Sequence, residues 1–145
     1  MNGGASARWV EMAMDRNQTT SLGAQILVVD DDQLIRDVTL RRLTSLGYRA
    51  IAAATGAEAL EALASGADVD LLLTDIRMPG GLHGPALARE ARRLRPLIKV
   101  LLVSGAPDDD TLLQGAAGED AWHLLLKPCT KAELAETIRE VLTKT

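Results

Sequence analysis

From Gln25 onward the chain repeats one unit: a short apolar run, an abrupt polar stop, then a stretch carrying helix signals. Ile26-Leu27-Val28-Val29 halts at Asp30-Asp31-Asp32, and Asp70-Leu71-Leu72-Leu73-Thr74 halts at Asp75. Lys99 to Val103 gives way to Ser104, and Leu124-Leu125-Leu126 gives way to Lys127, with a further strand expected at Tyr48 to Ala53. Between the runs, Asp32 is placed to cap a helix from about Gln33 to Leu46 that Gly47 ends. Its apolar stripe of Leu34, Ile35, Val38 and Leu46 is interrupted by Arg42. Thr55-Gly56-Ala57-Glu58 and Thr130-Lys131-Ala132-Glu133 both have the capping-box form. The first opens a helix closed by Gly66; the second opens one with Leu134, Ile138, Val141 and Leu142 on one face. A further helix has Pro85 near its first turn and Pro96 beyond its end, and residues 108–118, holding Gly115 and Gly118, read as a weak helix. Strands apolar on both faces and alternating with helices require an α/β fold: a doubly wound, five-stranded parallel sheet with helices on both faces.

Composition narrows what such a sheet can be. The 145 residues are 47% hydrophobic but only 2% aromatic, with no Phe, so the core must be aliphatic. No run approaches the roughly 18 apolar residues of a membrane span. The single cysteine, Cys129, can form neither an internal disulfide nor a cysteine-based zinc site. A net charge of -4 offers no basic footprint for nucleic acid, and the amino terminus lacks the layout of a secretory signal. A cytoplasmic location is expected. Residues 1–24 differ from the rest, being rich in Gly, Ser, Asn, Gln and Thr. They are read as a flexible N-terminal extension to a domain at 25–145, although Trp9, Val10, Ala13 and Met14 could share a helical face.

In an open α/β sheet the ligand site lies outside the carboxyl ends of the strands, at the topological switch point. The residues delivered there are Asp30 and Asp31 by the first strand, Asp75 by the third, Ser104 by the fourth and Lys127 by the fifth. Any one of them has an ordinary explanation as a turn, cap or surface charge. Their joint placement does not. Clustered carboxylates raise one another's pKa unless a cation compensates them, and a hard divalent ion such as Mg2+ suits an all-oxygen site. A metal beside a carboxylate and a lysine suits phosphoryl chemistry, in which the carboxylate can itself be the nucleophile.

With those residues in view, the sequence resembles the receiver domains of two-component response regulators. The resemblance runs from Gln25 to about Thr143 and is carried by ILVVDD, LLLTDIRMPGG, VLLVSG and LLLKP. It implies a flavodoxin-like strand order of 2-1-3-4-5, and it implies that Asp75 accepts the phosphoryl group from a histidine kinase or a histidine phosphotransfer protein. Asp31, Asp75 and the backbone carbonyl of Arg77 would ligate Mg2+, and Asp30 would act through a metal-bound water. Ser104 would hydrogen-bond the phosphoryl group and Lys127 would pair with its oxygens, with a cis peptide between Lys127 and Pro128. Slow loss of phosphate would follow, with a switch at the surface around the fourth helix and fifth strand and a phosphorylation-dependent homodimer as one form of output. The loop MPGGLHG resembles that of receivers at the C-terminal end of hybrid histidine kinases. No membrane contact and no DNA-binding output domain are expected in this chain.

The departures fall on the signalling side. Leu124 stands where the family usually has Tyr or Phe three residues before the lysine, and Cys129 where Phe often follows Lys-Pro. The segment after Ser104 is rich in Asp and Gly, including Asp108, Asp109 and Asp110. Trp122 reads as packing, His123 and His83 as surface residues, and Cys129 as a small space-filler. Two other readings remain open at this point. Asp30-Asp31-Asp32 contains the Asp-x-Asp of haloacid-dehalogenase-like phosphatases, though Leu34 breaks that pattern and Asp75 goes unused. A degenerate receiver serving only as a docking module is the other.

Overall fold

Each apolar run becomes a strand, and the strands lie parallel in one sheet. The computed structural model describes residues 23–78, 82–105 and 123–143. These form β1 (Gln25–Val29), α1 (Gln33–Ser45), β2 (Arg49–Ala53), α2 (Gly56–Ala64), β3 (Leu71–Asp75), α3 (Gly84–Leu94), β4 (Lys99–Ser104), β5 (His123–Leu126) and α4 (Lys131–Thr143). The readings made for residues 1–22, for Pro79-Gly80-Gly81 and for residues 106–122, including the weak helix and Trp122, lie outside the described residues.

The sheet order is β2-β1-β3-β4-β5, as expected. Alternation along the strands divides the interior into two cores. Leu27, Val29, Leu72, Val100 and Leu102 point to one face, where Ala59 and Leu63 of α2 and Leu87, Ala88 and Ala91 of α3 cover them. Ile26, Val28, Leu71, Leu73 and Leu101 point to the other, under Leu43 of α1 and Leu134, Ile138 and Val141 of α4. The small Ala59, Ala88 and Ala91 let α2 and α3 sit close to the bulky strand residues beneath them.

Helix ends follow their chemistry. Asp32 caps α1, its Oδ1 accepting from the N–H groups of Leu34 (2.9 Å) and Ile35 (3.3 Å). Thr130 and Glu133 form a reciprocal capping box, with bonds of 3.0 and 2.8 Å. At α2, Thr55 Oγ1 accepts from Glu58 N–H at 3.1 Å, while Glu58 Oε1 reaches one residue further back, to Ala54 N–H at 2.8 Å. Thr55→Ala is expected to cost about 1 kcal/mol. It would read as a lower urea midpoint at unchanged slope; an unmoved midpoint would show that Glu58 alone holds the turn.

Two features differ from the sequence reading. Only β1, β3 and β4 are buried on both faces; β2 and β5 are the sheet edges and alternate between covered and open residues. More consequentially, the stripe of Leu34, Ile35 and Val38 is not the buried face of α1. Leu43 is buried, with Leu40 and Leu46 packed beside it, while Leu34 is 70% exposed. The helix is rotated so that its anchoring face begins late, which leaves its first two turns to present apolar side chains next to the strand ends.

Candidate functional site

The parallel register brings the polar stops together. Val29 aligns with Thr74, so Asp30 and Asp75 leave adjacent strands at the same level. Asp75 aligns with Val103 on β4, placing Ser104 one step beyond, and Ser104 aligns with Leu126, placing Lys127 next. The ladder continues past the strands through Ile76 N–H to Val103 O at 3.0 Å and Lys127 N–H to Ser104 O at 2.8 Å. β1 lies between β2 and β3, so this is the point where strand order reverses and a crevice opens.

Carboxylate oxygens of Asp30, Asp31 and Asp75 lie within 4.8 Å of one another. That is a spacing one divalent cation can bridge, and an all-carboxylate donor set suits a hard ion. Lys127 Nζ donates to Asp75 Oδ2 at 3.0 Å, with the lysine side chain 31% exposed and the aspartate side chain 15% exposed. Burial pushes the Asp75 carboxyl above the ordinary aspartate range; the Lys127 hydrogen bond and charge oppose this, and the neighbouring Asp30 and Asp31 charges add to it. Asp30 and Ser104 are each 7% exposed. Asp31 is exposed, and Arg77 has turned out of the sheet with an exposed side chain. All the residues singled out as site candidates thus stand at one end of the sheet, with the cluster formed by Asp30, Asp31, Asp75 and Lys127.

Backbone bonds hold the cluster in place. Asp30 Oδ1 accepts from Asp32 N–H at 2.9 Å, and the Arg36 guanidinium donates to Asp30 O at 2.7 Å. The Thr74 hydroxyl donates to the carbonyl of Asp75 at 3.1 Å. On the opposite side of the site, Arg42 donates to the Cys129 carbonyl at 3.0 Å, tying α1 to the turn after Lys127. That arginine looked like a break in an apolar stripe; its partner is 87 residues away, so no local pattern announces it. The Lys127–Pro128 peptide is cis. Cys129 is partly buried and packs against the core under α1 and α4. His83, read from the sequence as a surface loop residue, is a partly exposed loop residue that also caps α3. Asp32 is committed to its helix cap and is not part of the carboxylate cluster.

A cavity of about 380 Å3 opens beside the carboxylates, bordered by Leu34, Ile35 and Val38 of α1 and by Lys127, Pro128 and Cys129. Among the described residues, no helix is long and apolar enough to cross a membrane.

Known proteins share this sequence pattern and this fold. The family model of the response regulator receiver domain matches residues 26–139. The sensor kinase CckA of Brucella abortus is 36% identical over 97% of this chain, which spans 14% of that protein. The DNA-binding transcriptional regulator NtrC of Escherichia coli is 40% identical over 71% of this chain, which matches 21% of its length. Among solved structures, a response regulator receiver domain protein from Clostridium thermocellum superposes with a TM-score of 0.74 at 28% identity, over 82% of this chain and 94% of that one. A receiver protein from Sinorhizobium medicae gives 0.73 at 31% identity, over 83% and 94%.

Proposed function

The chain belongs to the response regulator receiver domain family, and from that membership we propose that it takes a phosphoryl group onto Asp75 from a phosphohistidine on a histidine kinase or histidine phosphotransfer protein. The observation that carries this reading is the pairing of Asp75 Oδ2 with Lys127 at 3.0 Å inside a cluster of three carboxylates at the switch point of the sheet. Asp75 attacks phosphorus; the phosphorus–nitrogen bond to the partner histidine breaks as the phosphorus–oxygen bond forms, leaving an aspartyl phosphate and a neutral histidine.

Asp31, Asp75 and the Arg77 carbonyl would hold Mg2+, with Asp30 acting through a bound water. When bound, the ion supplies positive charge against the phosphoryl oxygens. The protein's own groups divide the remaining work. Lys127 orients Asp75 and is positioned to neutralise a phosphoryl oxygen. Ser104, carried one step beyond Asp75 on the adjacent strand, would donate its hydroxyl to the bound group. Asp30 and Asp31 keep negative charge around the metal, disfavouring approach of a dianion until that metal is present. Slow hydrolysis then returns the carboxylate. The exposed Leu34, Ile35 and Val38 border the carboxylates and supply apolar area for a transient partner.

The likeness to a sensor kinase, together with the MPGGLHG loop, supports a place in a kinase-linked relay. The test is incubation with acetyl phosphate and Mg2+, followed by intact-mass and peptide analysis. One phosphoryl group on the peptide containing Asp75 is expected. Incorporation elsewhere, or none under conditions where beryllofluoride also fails to bind, would favour a docking module instead.

A further inference from the structure

The chain that leaves the sheet after β3 returns, at the start of α3, to the same residue, Ile76. Ile76 N–H is bonded across the sheet to Val103 O, and the Ile76 carbonyl accepts from Gly84 N–H at 2.8 Å. Gly84 comes so close that a Cβ there would stand 2.5 Å from the Asp75 carbonyl oxygen and 3.0 Å from Ile76 Cα. Just before it, Leu82 seats on the start of α2, where a Cβ on Gly56 would meet Leu82 Cδ2 at 2.6 Å. The chain is therefore pinched together at Ile76 and Gly84, directly against the strand end that bears Asp75. Arg77, whose carbonyl is the proposed third metal ligand, is the first residue inside the pinch.

The first turn of α3 holds the far side of that closure, and His83 caps it. Its Nδ1 accepts from Ala86 N–H at 3.3 Å, and its carbonyl accepts from Leu87 N–H at 2.9 Å. An imidazole can act this way only with Nδ1 unprotonated, so the ring proton belongs on Nε2. Histidine is not among the preferred N-cap residues, which are Ser, Thr, Asp and Asn. A shorter acceptor such as Asn would satisfy the same amide, so what the cap requires at this position is a side-chain acceptor.

We infer that His83 is a positioning residue of the phosphoacceptor site. Its Nδ1 cap fixes the first turn of α3, that turn holds Gly84 on the Ile76 carbonyl, and the closure sets where the Arg77 carbonyl stands for a divalent cation. His83 acts through Gly84 and not on the reacting atoms. The inference rests on the magnesium-dependent reading of the site.

The experiment uses the full chain, wild type, His83→Ala and His83→Asn, with Mg2+ affinity measured by calorimetry and amide exchange at Ala86 measured without metal. His83→Ala is expected to weaken Mg2+ binding by about threefold to tenfold, the scale of a lost N-cap, and to speed exchange at Ala86. His83→Asn keeps a side-chain acceptor and should restore both to within about twofold of wild type. Wild-type affinity in His83→Ala, or an Asn variant as weak as the Ala variant, overturns the positioning role alone. A wild-type chain that binds no Mg2+ overturns the proposed function and this inference together.

Discussion

Asp75→Asn is expected to abolish phosphoryl incorporation, lowering the rate from acetyl phosphate by roughly a thousandfold or more, the scale of removing a nucleophile. The amide keeps the shape of the side chain but offers no anionic oxygen to phosphorus. Loss of folding is not the expected cause, and the sign of the ionisation argument shows why. Burial raises the Asp75 carboxyl above its ordinary value, so the folded chain holds this proton more tightly than the unfolded chain. That contribution favours folding fully at pH below the ordinary aspartate range and disappears as pH rises through the raised value. At neutral pH the carboxylate is therefore a burden on the fold, relieved in part by Lys127, and the asparagine variant should melt no lower than wild type. Intact mass after incubation with acetyl phosphate, set beside a thermal melt at pH 7, checks both halves. Incorporation at the wild-type rate in the variant would remove Asp75 from its proposed role.

Magnesium should stabilise the protein strongly, and the carboxylate variants should respond with opposite signs in its presence and absence. At a concentration one hundred times its Kd, a ligand that binds only the folded state adds about 2.7 kcal/mol, on the order of 5–15 °C in Tm for a domain of this size. A bound metal would remove the mutual repulsion of Asp30, Asp31 and Asp75, whose oxygens crowd within 4.8 Å. Asp31→Asn removes part of that repulsion permanently. Without metal the variant should melt at or above wild type; with saturating metal it should melt well below, because most of the increment is lost. A general loss of stability would lower both curves, so the crossing separates a metal ligand from a structural residue. Equal responses to Mg2+ in wild type and Asp31→Asn would take Asp31 out of the ligand set. The metal effect should also fade on acidification, since protons compete for Asp75.

Much of this architecture is visible in local sequence because local rules dominate it. Strands β1, β3 and β4 are continuous apolar runs, and a strand covered on both faces needs nothing else. The caps at Asp32, Thr55 and Thr130 are satisfied within a few residues, so short motifs announce them. Asp30, Ser104 and Lys127 were singled out by position, each being the first polar residue after an apolar run, and Asp75 as the charge that follows Leu71-Leu72-Leu73-Thr74. The features missed depend on long-range geometry. Nothing near Arg42 indicates a bond to the Cys129 carbonyl, and α1 exposes Leu34, Ile35 and Val38 against the ordinary rule for a helix face. The edge strands β2 and β5 look like interior strands until their place in the order is known. The cap made by His83 was missed because imidazole is an uncommon cap, although Gly84-Pro85 directly after it was a usable signal, since Pro favours the first turn of a helix.

The site is assembled by counting. Asp30 and Asp75 share a level, Ser104 stands one rung higher, and Lys127 follows the residue that aligns with Ser104. Each strand thus works as a ruler whose length sets the height of one functional group, while alternation assigns every other residue to one core or the other. Deleting a single residue from β3 would lower Asp75 by one rung and also exchange the residues facing α2 and α3 with those facing α1 and α4. The helices and their outer loops carry no such double duty. Change in this protein is therefore constrained less by which aliphatic residue occupies a strand position than by how many positions the strand contains. A reshuffled Leu, Ile or Val leaves the ruler intact; an indel miscalibrates it.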